Sequence, residues 1–94
     1  MPYFFYVIQS EVDGSYYRGQ SEDLENRVKK HNNGESRSTK SKRPWRLVYA
    51  EEFSTRSEAV KRELYLKSPR GWQDWKSIKQ QMEKRTNSER SAAR

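Results

Sequence analysis

The sequence predicts a small mixed α/β (α+β) domain built from three strands and three helical segments. Residues 3–8 are apolar on both alternating faces, which is typical of a central strand covered on both sides. The dipeptide Asp13-Gly14 is a strong signal for a hairpin turn into a second strand. Further along, Thr55 and Glu58 have the spacing of a capping box, which marks the start of a helix.

The first two strands carry a pair of tyrosines. Tyr6 lies on the first strand and Tyr17 on the second, which is predicted over residues 15–20. Because cross-strand partners share a face, the two tyrosines face the same way when the connecting loop has an even number of residues. Loops of two and of four residues both meet this condition.

A first helix follows, and its inner face carries two polar side chains. Ser21 is the predicted N-cap, and residues 32–34 (Asn-Asn-Gly) end the helix. At 100° per residue, Arg27 and His31 fall on the same narrow arc as the apolar residues of this helix. A buried charge must be paired or hydrogen-bonded, so both residues are candidates for a functional site.

A long polar segment occupies residues 33–46, with five basic side chains and one acidic side chain. Its serine and threonine content argues against a packed core, and a solvated loop and a phosphate-contacting loop are both consistent with it. We take Lys40, Lys42 and Arg43 as the candidate nucleic-acid contacts. The ring of Trp45 is expected to anchor the end of the segment.

The third strand is predicted over residues 46–53, and the helix after it is predicted to run to about Ser68. Glu63 interrupts the apolar inner arc of that helix. A glutamate in this position is unfavourable unless it meets a cation or a metal. A buried structural bridge with Arg27 is the alternative explanation.

The C-terminal part is predicted to form one more amphipathic helix within a domain over residues 1–84. Residues 85–94 form a polar tail with little to bury, and we expect this tail to be disordered. Core packing is the favoured role of the helical stripe, and stacking of its tryptophans on bases is the alternative. The stripe consists of Trp72, Trp75, Ile78 and Met82.

Composition narrows the class of partner. The net charge of +7 over 94 residues favours a polyanion, with nucleic acid as the first candidate. There are no cysteines, which excludes disulfides and a thiolate zinc site, and the single histidine argues against an imidazole-rich metal site. No leader segment or run of 18 apolar residues occurs, so we expect a soluble, cytoplasmic protein with no membrane association.

The order and spacing of these residues resemble the GIY-YIG nuclease superfamily. The resemblance covers roughly residues 2–68 and is strongest to small stand-alone bacterial members related to the nuclease domain of the excision-repair subunit UvrC. It departs from the family pattern at the first triplet, which is Phe4-Phe5-Tyr6, and at Arg18, which replaces a central isoleucine. The residues that carry it are Tyr6, Tyr17-Arg18-Gly19, Asp23-Leu24, Arg27, His31-Asn32, Gly34, Thr39, Arg43-Pro44-Trp45, Leu47-Val48-Tyr49, Arg62-Glu63 and Lys67.

The resemblance implies a fold, a chemistry and a role for each site residue. The fold would be a three-stranded, largely antiparallel sheet flanked by helices. Tyr17 would be the general base and Tyr6 would orient water or a phosphate oxygen. Arg27 would stabilise negative charge on the scissile phosphate, and His31 would accept a proton from Tyr17 or hold it in place. Glu63 would bind one divalent cation, Mg²⁺ or Mn²⁺.

The function expected from the sequence is therefore a metal-dependent endonuclease that hydrolyses nucleic-acid phosphodiester bonds in repair or processing. DNA is preferred over RNA as the substrate, and target choice by a separate protein partner is left open. The main alternative is a non-catalytic nucleic-acid-binding module on the same fold. A third reading is an accessory protein whose main partner is another protein.

Overall fold

The computed structural model describes the backbone of residues 2–92 and the side chains of residues 2–84. It contains a three-stranded antiparallel sheet and three helices, which confirms the α+β prediction. The chain divides into two compact units, Met1–Glu63 and Leu64–Arg94. None of the described helices is long and apolar enough to cross a membrane. In chain order the elements are β1 (Tyr3–Ser10), β2 (Tyr16–Ser21), α1 (Leu24–Asn32), β3 (Trp45–Phe53), α2 (Arg56–Lys67) and α3 (Trp72–Ala92).

The sheet has the order β2-β1-β3, so β1 is the central strand, as its continuous apolar run predicts. Tyr6 pairs with Gly19, and Ile8 pairs with Tyr17. Since alternate residues of a strand share a face, Tyr6 and Tyr17 lie on the same side of the sheet. The backbone N–H of Ser10 donates to the Ser15 carbonyl at 2.9 Å. This bond leaves four residues in the turn, which is one of the two predicted loop lengths.

The N-cap of α1 is Asp23, two residues later than predicted. The Asp23 carboxylate accepts a hydrogen bond from the backbone N–H of Asn26 at 3.1 Å. The hydroxyl of Ser21 does not cap the helix, because it accepts a hydrogen bond from the backbone N–H of Asp23 at 3.1 Å. The end of the helix is as expected, and Gly34 follows it with a φ of +78°, a conformation that favours glycine.

The polar segment between α1 and β3 is anchored at Thr39 and Trp45. Trp45 is 5% exposed, and its indole N–H donates to the Thr39 carbonyl at 2.8 Å, which confirms its expected anchoring role. Thr39 is 0% exposed, so the inference from serine and threonine content was wrong at this residue. The backbone of Trp45 is held by Asn32. The Asn32 side-chain amide donates to the Trp45 carbonyl at 2.9 Å, and its oxygen accepts from the backbone N–H of Trp45 at 2.6 Å. These bonds join the end of α1 to the start of β3.

The start of α2 is fixed by the predicted capping box. The backbone N–H of Thr55 donates to the Glu58 carboxylate at 3.1 Å, and the N–H of Glu58 donates to the Thr55 hydroxyl at 3.2 Å. Further along α2, the guanidinium of Arg62 forms two hydrogen bonds to Glu51 on β3, at 2.8 and 3.1 Å. The hydroxyl of Tyr49 donates to the same carboxylate at 2.5 Å. This network ties α2 to the sheet one residue before Glu63.

In the C-terminal unit, three members of the predicted stripe are buried and one is not. Trp75, Ile78 and Met82 are 5–6% exposed, whereas Trp72 is 52% exposed. At 100° per residue the three buried side chains fall within about 60° of helix circumference, and Trp72 falls about 60° outside that arc. The expectation that Trp72 belongs to the core was therefore wrong. The bounds of α3 reach Ala92, but side chains from residue 85 and all of residues 93–94 lie outside the described residues, so the disordered tail stays a prediction.

Gly71 lies close against the backbone of Tyr65, and Gly71→Ala is expected to destabilise the protein. A Cβ at this position would lie 1.9 Å from the carbonyl oxygen of Tyr65, which is a backbone atom that cannot swing aside. Forced overpacking of this kind costs about 1–3 kcal/mol or more. Urea unfolding of Gly71→Ala, with the exposed helical change Ser77→Ala as the control, measures the loss. Equal midpoints for the two variants would contradict the close approach.

Candidate active site

A buried chain of three side chains lies between the sheet and the segment after α1. The hydroxyl of Tyr6 is 2.9 Å from His31 Nε2, and His31 Nδ1 is 2.8 Å from the hydroxyl oxygen of Thr39. Tyr6 and His31 are each 2% exposed, and Thr39 is 0% exposed. The sequence predicted the first two as site residues but did not assign Thr39 a role there. These two hydrogen bonds join β1, α1 and the loop after α1.

The hydrogen-bond partners favour one arrangement of the protons along Tyr6, His31 and Thr39. The Thr39 hydroxyl donates to the Ser36 carbonyl at 3.4 Å, so its oxygen is left to accept from His31 Nδ1–H. Nε2 of neutral His31 then carries the lone pair and accepts the O–H of Tyr6. This tautomer is assigned from the network. The proton of Tyr6 is therefore held between Tyr6 and His31.

Gly19 makes room for the Tyr6 ring on the neighbouring strand. A Cβ at Gly19 would lie 2.7 Å from the Tyr6 hydroxyl oxygen and 2.9 Å from the ring carbon that bears it. Any larger residue at this position would move the phenol away from His31. Tyr17 and Gly19 both lie on the edge strand β2, so one strand supplies the second tyrosine and also the glycine that leaves room for the Tyr6 ring.

Tyr17 lies beside this chain and is half-buried. Its ring meets the His31 ring edge-on, with centroids 5.0 Å apart, and it also contacts Trp45 at 6.4 Å. Each ring nitrogen of His31 already has a hydrogen-bond partner: Tyr6 for Nε2 and Thr39 for Nδ1. Of the two roles the sequence left open for His31, the geometry favours holding Tyr17 in place over accepting its proton.

The charges of Arg27 and Glu63 both act on the buried phenol. Burial raises the pKa of Tyr6 above its ordinary value, Tyr17 and Glu63 raise it further, and Arg27 opposes them. Burial likewise lowers the pKa of His31, and the positive charge of Arg27 lowers it further. The structure therefore places Tyr17, Arg27 and Glu63 within electrostatic reach of Tyr6, and Arg27 within electrostatic reach of His31.

Arg27 is exposed, although the helical arc predicted it to be buried. It lies 40° beyond His31 on the helical wheel, at the margin of the inward arc, where α1 meets an open polar cleft of about 250 Å³. The guanidinium is therefore accessible to an anion from solvent. The cleft is lined by Tyr3, Gln20, Ser21, Glu22, Arg27 and Arg56.

Arg18 is a further charged group near the site, and the sequence prediction did not assign it a role. It neighbours Tyr17 along β2 and so points to the other face of the sheet. Burial lowers the pKa of Arg18, and the negative charge of Glu63 opposes that shift. The two charges are therefore within electrostatic reach of each other, and the substitution in the second triplet leaves Tyr17 on its own face.

Glu63 is the candidate metal ligand, and its surroundings allow only a partial protein site. It is half-buried on α2. Among residues 2–84, no group of three or more His, Asp or Glu side chains is placed to hold a metal ion. Mg²⁺ is commonly held by one or two carboxylates together with substrate phosphates and waters. The donor set therefore fits a divalent ion that is shared with a phosphate of the substrate.

Two of the three basic residues proposed for nucleic-acid contact, Lys42 and Arg43, have side-chain partners within the protein. Lys42 forms an ion pair with Asp13 at 3.3 Å, in which both side chains remain about 45% exposed. Arg43 Nε donates to the carbonyl of Lys40 at 2.8 Å, and its guanidinium covers Gly34. These contacts shape the loop, and the Lys40 side chain is exposed. Their contact with nucleic acid stays a prediction.

Stability is expected to fall as the pH drops below about 6.5, with His31 responsible. The folded-state pKa of His31 lies below its ordinary value, so the unfolded chain binds more protons in the window below 6.5. Stability contributed by neutral His31 is then present above this window and is lost as the pH falls through it. Urea midpoints between pH 5.5 and 7.5 measure the slope, and His31→Gln should flatten it. An unchanged slope in that variant would contradict the assignment.

Comparison with known proteins places this arrangement in a family. The family model described as the GIY-YIG catalytic domain matches residues 2–76. A UPF0213 protein of Staphylococcus saprophyticus is 46% identical over 67 residues, covering 70% of this chain and 80% of that protein. A UPF0213 protein of Staphylococcus epidermidis is 43% identical over 79 residues, covering 83% of this chain and 95% of that protein. A UPF0213 protein from Bacillus halodurans, whose structure was solved by NMR in solution, is 33% identical with a TM-score of 0.48. The match covers 84% of this chain and 86% of that chain. By the family and sequence matches, the chain belongs to the GIY-YIG family of nucleases.

Proposed function

We propose that this protein is a metal-dependent endonuclease that hydrolyses phosphodiester bonds in nucleic acid. DNA is the proposed substrate over RNA, and repair or processing is the proposed setting. The observation that carries the proposal is the buried chain of Tyr6, His31 and Thr39 beside Tyr17, with the charges of Arg27 and Glu63 acting on the same phenol. Two phenols and an imidazole packed together, with charges of both signs acting on one of them, supply the residue types that phosphodiester hydrolysis requires.

The two tyrosines have different roles in the proposed reaction. Tyr6 keeps its proton, because burial raises its pKa and because that proton is bonded to His31. Its oxygen can still accept a hydrogen bond from a water molecule and so orient it. Tyr17, as its phenolate, is the better candidate to remove a proton from that water and so become the neutral phenol, since it is less buried than Tyr6 and its ring is positioned by His31.

The charged residues support the phosphate. Arg27 lines an open cleft, where its guanidinium can form two parallel hydrogen bonds to phosphate oxygens and stabilise charge as the water oxygen attacks phosphorus. One P–O bond forms to the water oxygen while the bond to the departing sugar oxygen breaks. A divalent ion held by Glu63 and the phosphate would supply Lewis-acid polarisation and stabilise that departing oxygen.

Incubation of the purified protein with structured nucleic acids tests the proposal. Single-stranded, duplex and branched DNA and matching RNA are each offered with Mg²⁺, with Mn²⁺ and with EDTA. Cleavage that requires the divalent ion is expected. Arg27→Ala should reduce it by about 10²–10³-fold, whereas Lys30→Ala, another exposed basic residue of α1, should not. Binding without cleavage of any substrate would indicate the non-catalytic module instead.

A further inference from the structure

The positive charge of the chain is concentrated in its last third. Residues 64–94 carry eight basic and three acidic side chains, a net charge of +5 out of the chain's +7. Residues 1–63 carry twelve basic and ten acidic side chains, a net charge of only +2. Attraction for a polyanion is therefore concentrated in the C-terminal unit, outside the polar loop of residues 33–46.

Two large aromatic side chains are exposed among the described residues of that same unit, and Trp72, at 52%, is more exposed than Tyr65, at 38%. The other two tryptophans, Trp45 and Trp75, are 5% and 6% exposed. Gly71, the residue before Trp72, lies directly against the backbone of Tyr65. The indole is therefore an exposed flat surface at the start of α3, directly after a closely packed backbone segment.

Lysines share the face of the exposed ring. Lys79 Nζ lies 5.7 Å from the centroid of the Trp72 ring, within cation–π range. Lys76 is exposed and lies four residues after Trp72, so it falls on the same side of α3. Asp74 lies on the opposite side by helical spacing, and Glu83, one turn beyond Lys79, is the acidic residue that shares this face.

We propose that Trp72, Lys76 and Lys79 form a contact surface for nucleic acid with unpaired bases. The indole stacks on one base, and the two ammonium groups bind the neighbouring phosphates. This combination of a stacking ring and backbone cations is the general mode of single-strand recognition. The inference rests on the proposed function only in taking nucleic acid as the partner. A membrane surface fits less well, because one exposed ring on a charged helix face offers little apolar area to insert.

Intrinsic fluorescence tests the stacking directly. Wild-type protein in EDTA, which prevents cleavage, is titrated with an oligothymidylate and, separately, with an abasic oligomer of equal length. We expect the oligothymidylate to quench emission and the abasic oligomer to bind without quenching. Trp72→Phe supplies the background from the two buried tryptophans, and it should show no quenching.

Affinity measurements test the contribution of each group. By fluorescence anisotropy of a labelled oligothymidylate, Trp72→Ala should weaken binding by roughly 5- to 100-fold, the range for one stacked base. Val12→Ala, which removes an exposed apolar side chain in the β1–β2 turn, should leave affinity unchanged. Lys76→Ala and Lys79→Ala should each reduce the salt slope by about one. The salt slope of Lys40→Ala is measured in the same way, and it shows whether the polar loop of residues 33–46 also contacts phosphates.

The outcomes separate this proposal from the proposed function. Cleavage that persists with unchanged affinity in Trp72→Ala overturns the contact surface and leaves the nuclease intact. Quenching that depends on Trp72, without cleavage under any divalent ion, supports the surface and counts against the nuclease. Equal quenching by the abasic oligomer, or a larger response to anionic lipid vesicles than to the oligomer, overturns base stacking. Absence of any nucleic-acid binding at low salt overturns both.

Discussion

Tyr17→Phe is expected to lower the rate of nucleic-acid cleavage by about 10²–10⁴-fold, the usual contribution of a general base. The change removes only the hydroxyl, and the ring keeps its edge-on contact with His31 and its contact with Trp45. Folding and nucleic-acid binding should therefore be retained. Single-turnover cleavage in Mg²⁺, together with thermal unfolding, measures both properties. Full cleavage by this variant would exclude Tyr17 as the base.

Tyr6→Phe provides the matched comparison, because the same atom is removed from the other tyrosine. Here the lost hydroxyl leaves the buried Nε2 of His31 without its hydrogen-bond partner. An unsatisfied buried polar group costs about 1–3 kcal/mol, so Tyr6→Phe should lose stability as well as activity. The two phenols are thus distinguished by unfolding, even where both variants cleave slowly.

Glu63→Gln is expected to abolish most divalent-dependent cleavage while the fold persists. The variant keeps the shape of the side chain and removes the carboxylate charge that the proposed metal site requires. The rate should fall by about 10²–10³-fold, comparable to the loss of one electrostatic contact to the transition state. Cleavage across a Mg²⁺ titration is the measurement, and binding in EDTA is the control for retained recognition. Full nuclease activity in this variant would remove Glu63 from the metal site.

The same variant also tests the alternative that Glu63 and Arg27 serve as a structural bridge. Stranding a buried arginine would cost roughly 3–5 kcal/mol. Arg27 is exposed in the structure, and an exposed arginine remains solvated when an acidic neighbour is removed. We therefore expect the loss of a charge contact between Glu63 and Arg27 to cost less than about 1 kcal/mol. A much larger loss would support the structural bridge.

Local patterns in the sequence were sufficient to predict the secondary structure. The turn at Asp13-Gly14 and the capping box at Thr55 and Glu58 depend on residues a few positions apart, and both are present. The parity of the hairpin loop was enough to place Tyr6 and Tyr17 on one face. The cap of α1 was misplaced by two residues, because two neighbouring side chains were both able to accept the required hydrogen bond.

Contacts that join helices and strands to irregular segments were decided by the tertiary structure. Thr39 lies in a polar segment without periodicity, so nothing local indicates that it is fully buried against His31. A helical wheel gives the direction of Arg27 but not where the sheet ends, and so it could not show that Arg27 opens into a cleft. The sequence by itself therefore determined the elements, the facing tyrosines and the chemical types of the site. Only the tertiary structure decided which partners hold His31, and that Arg27 and Trp72 are exposed, because burial depends on what packs against a residue from elsewhere in the chain.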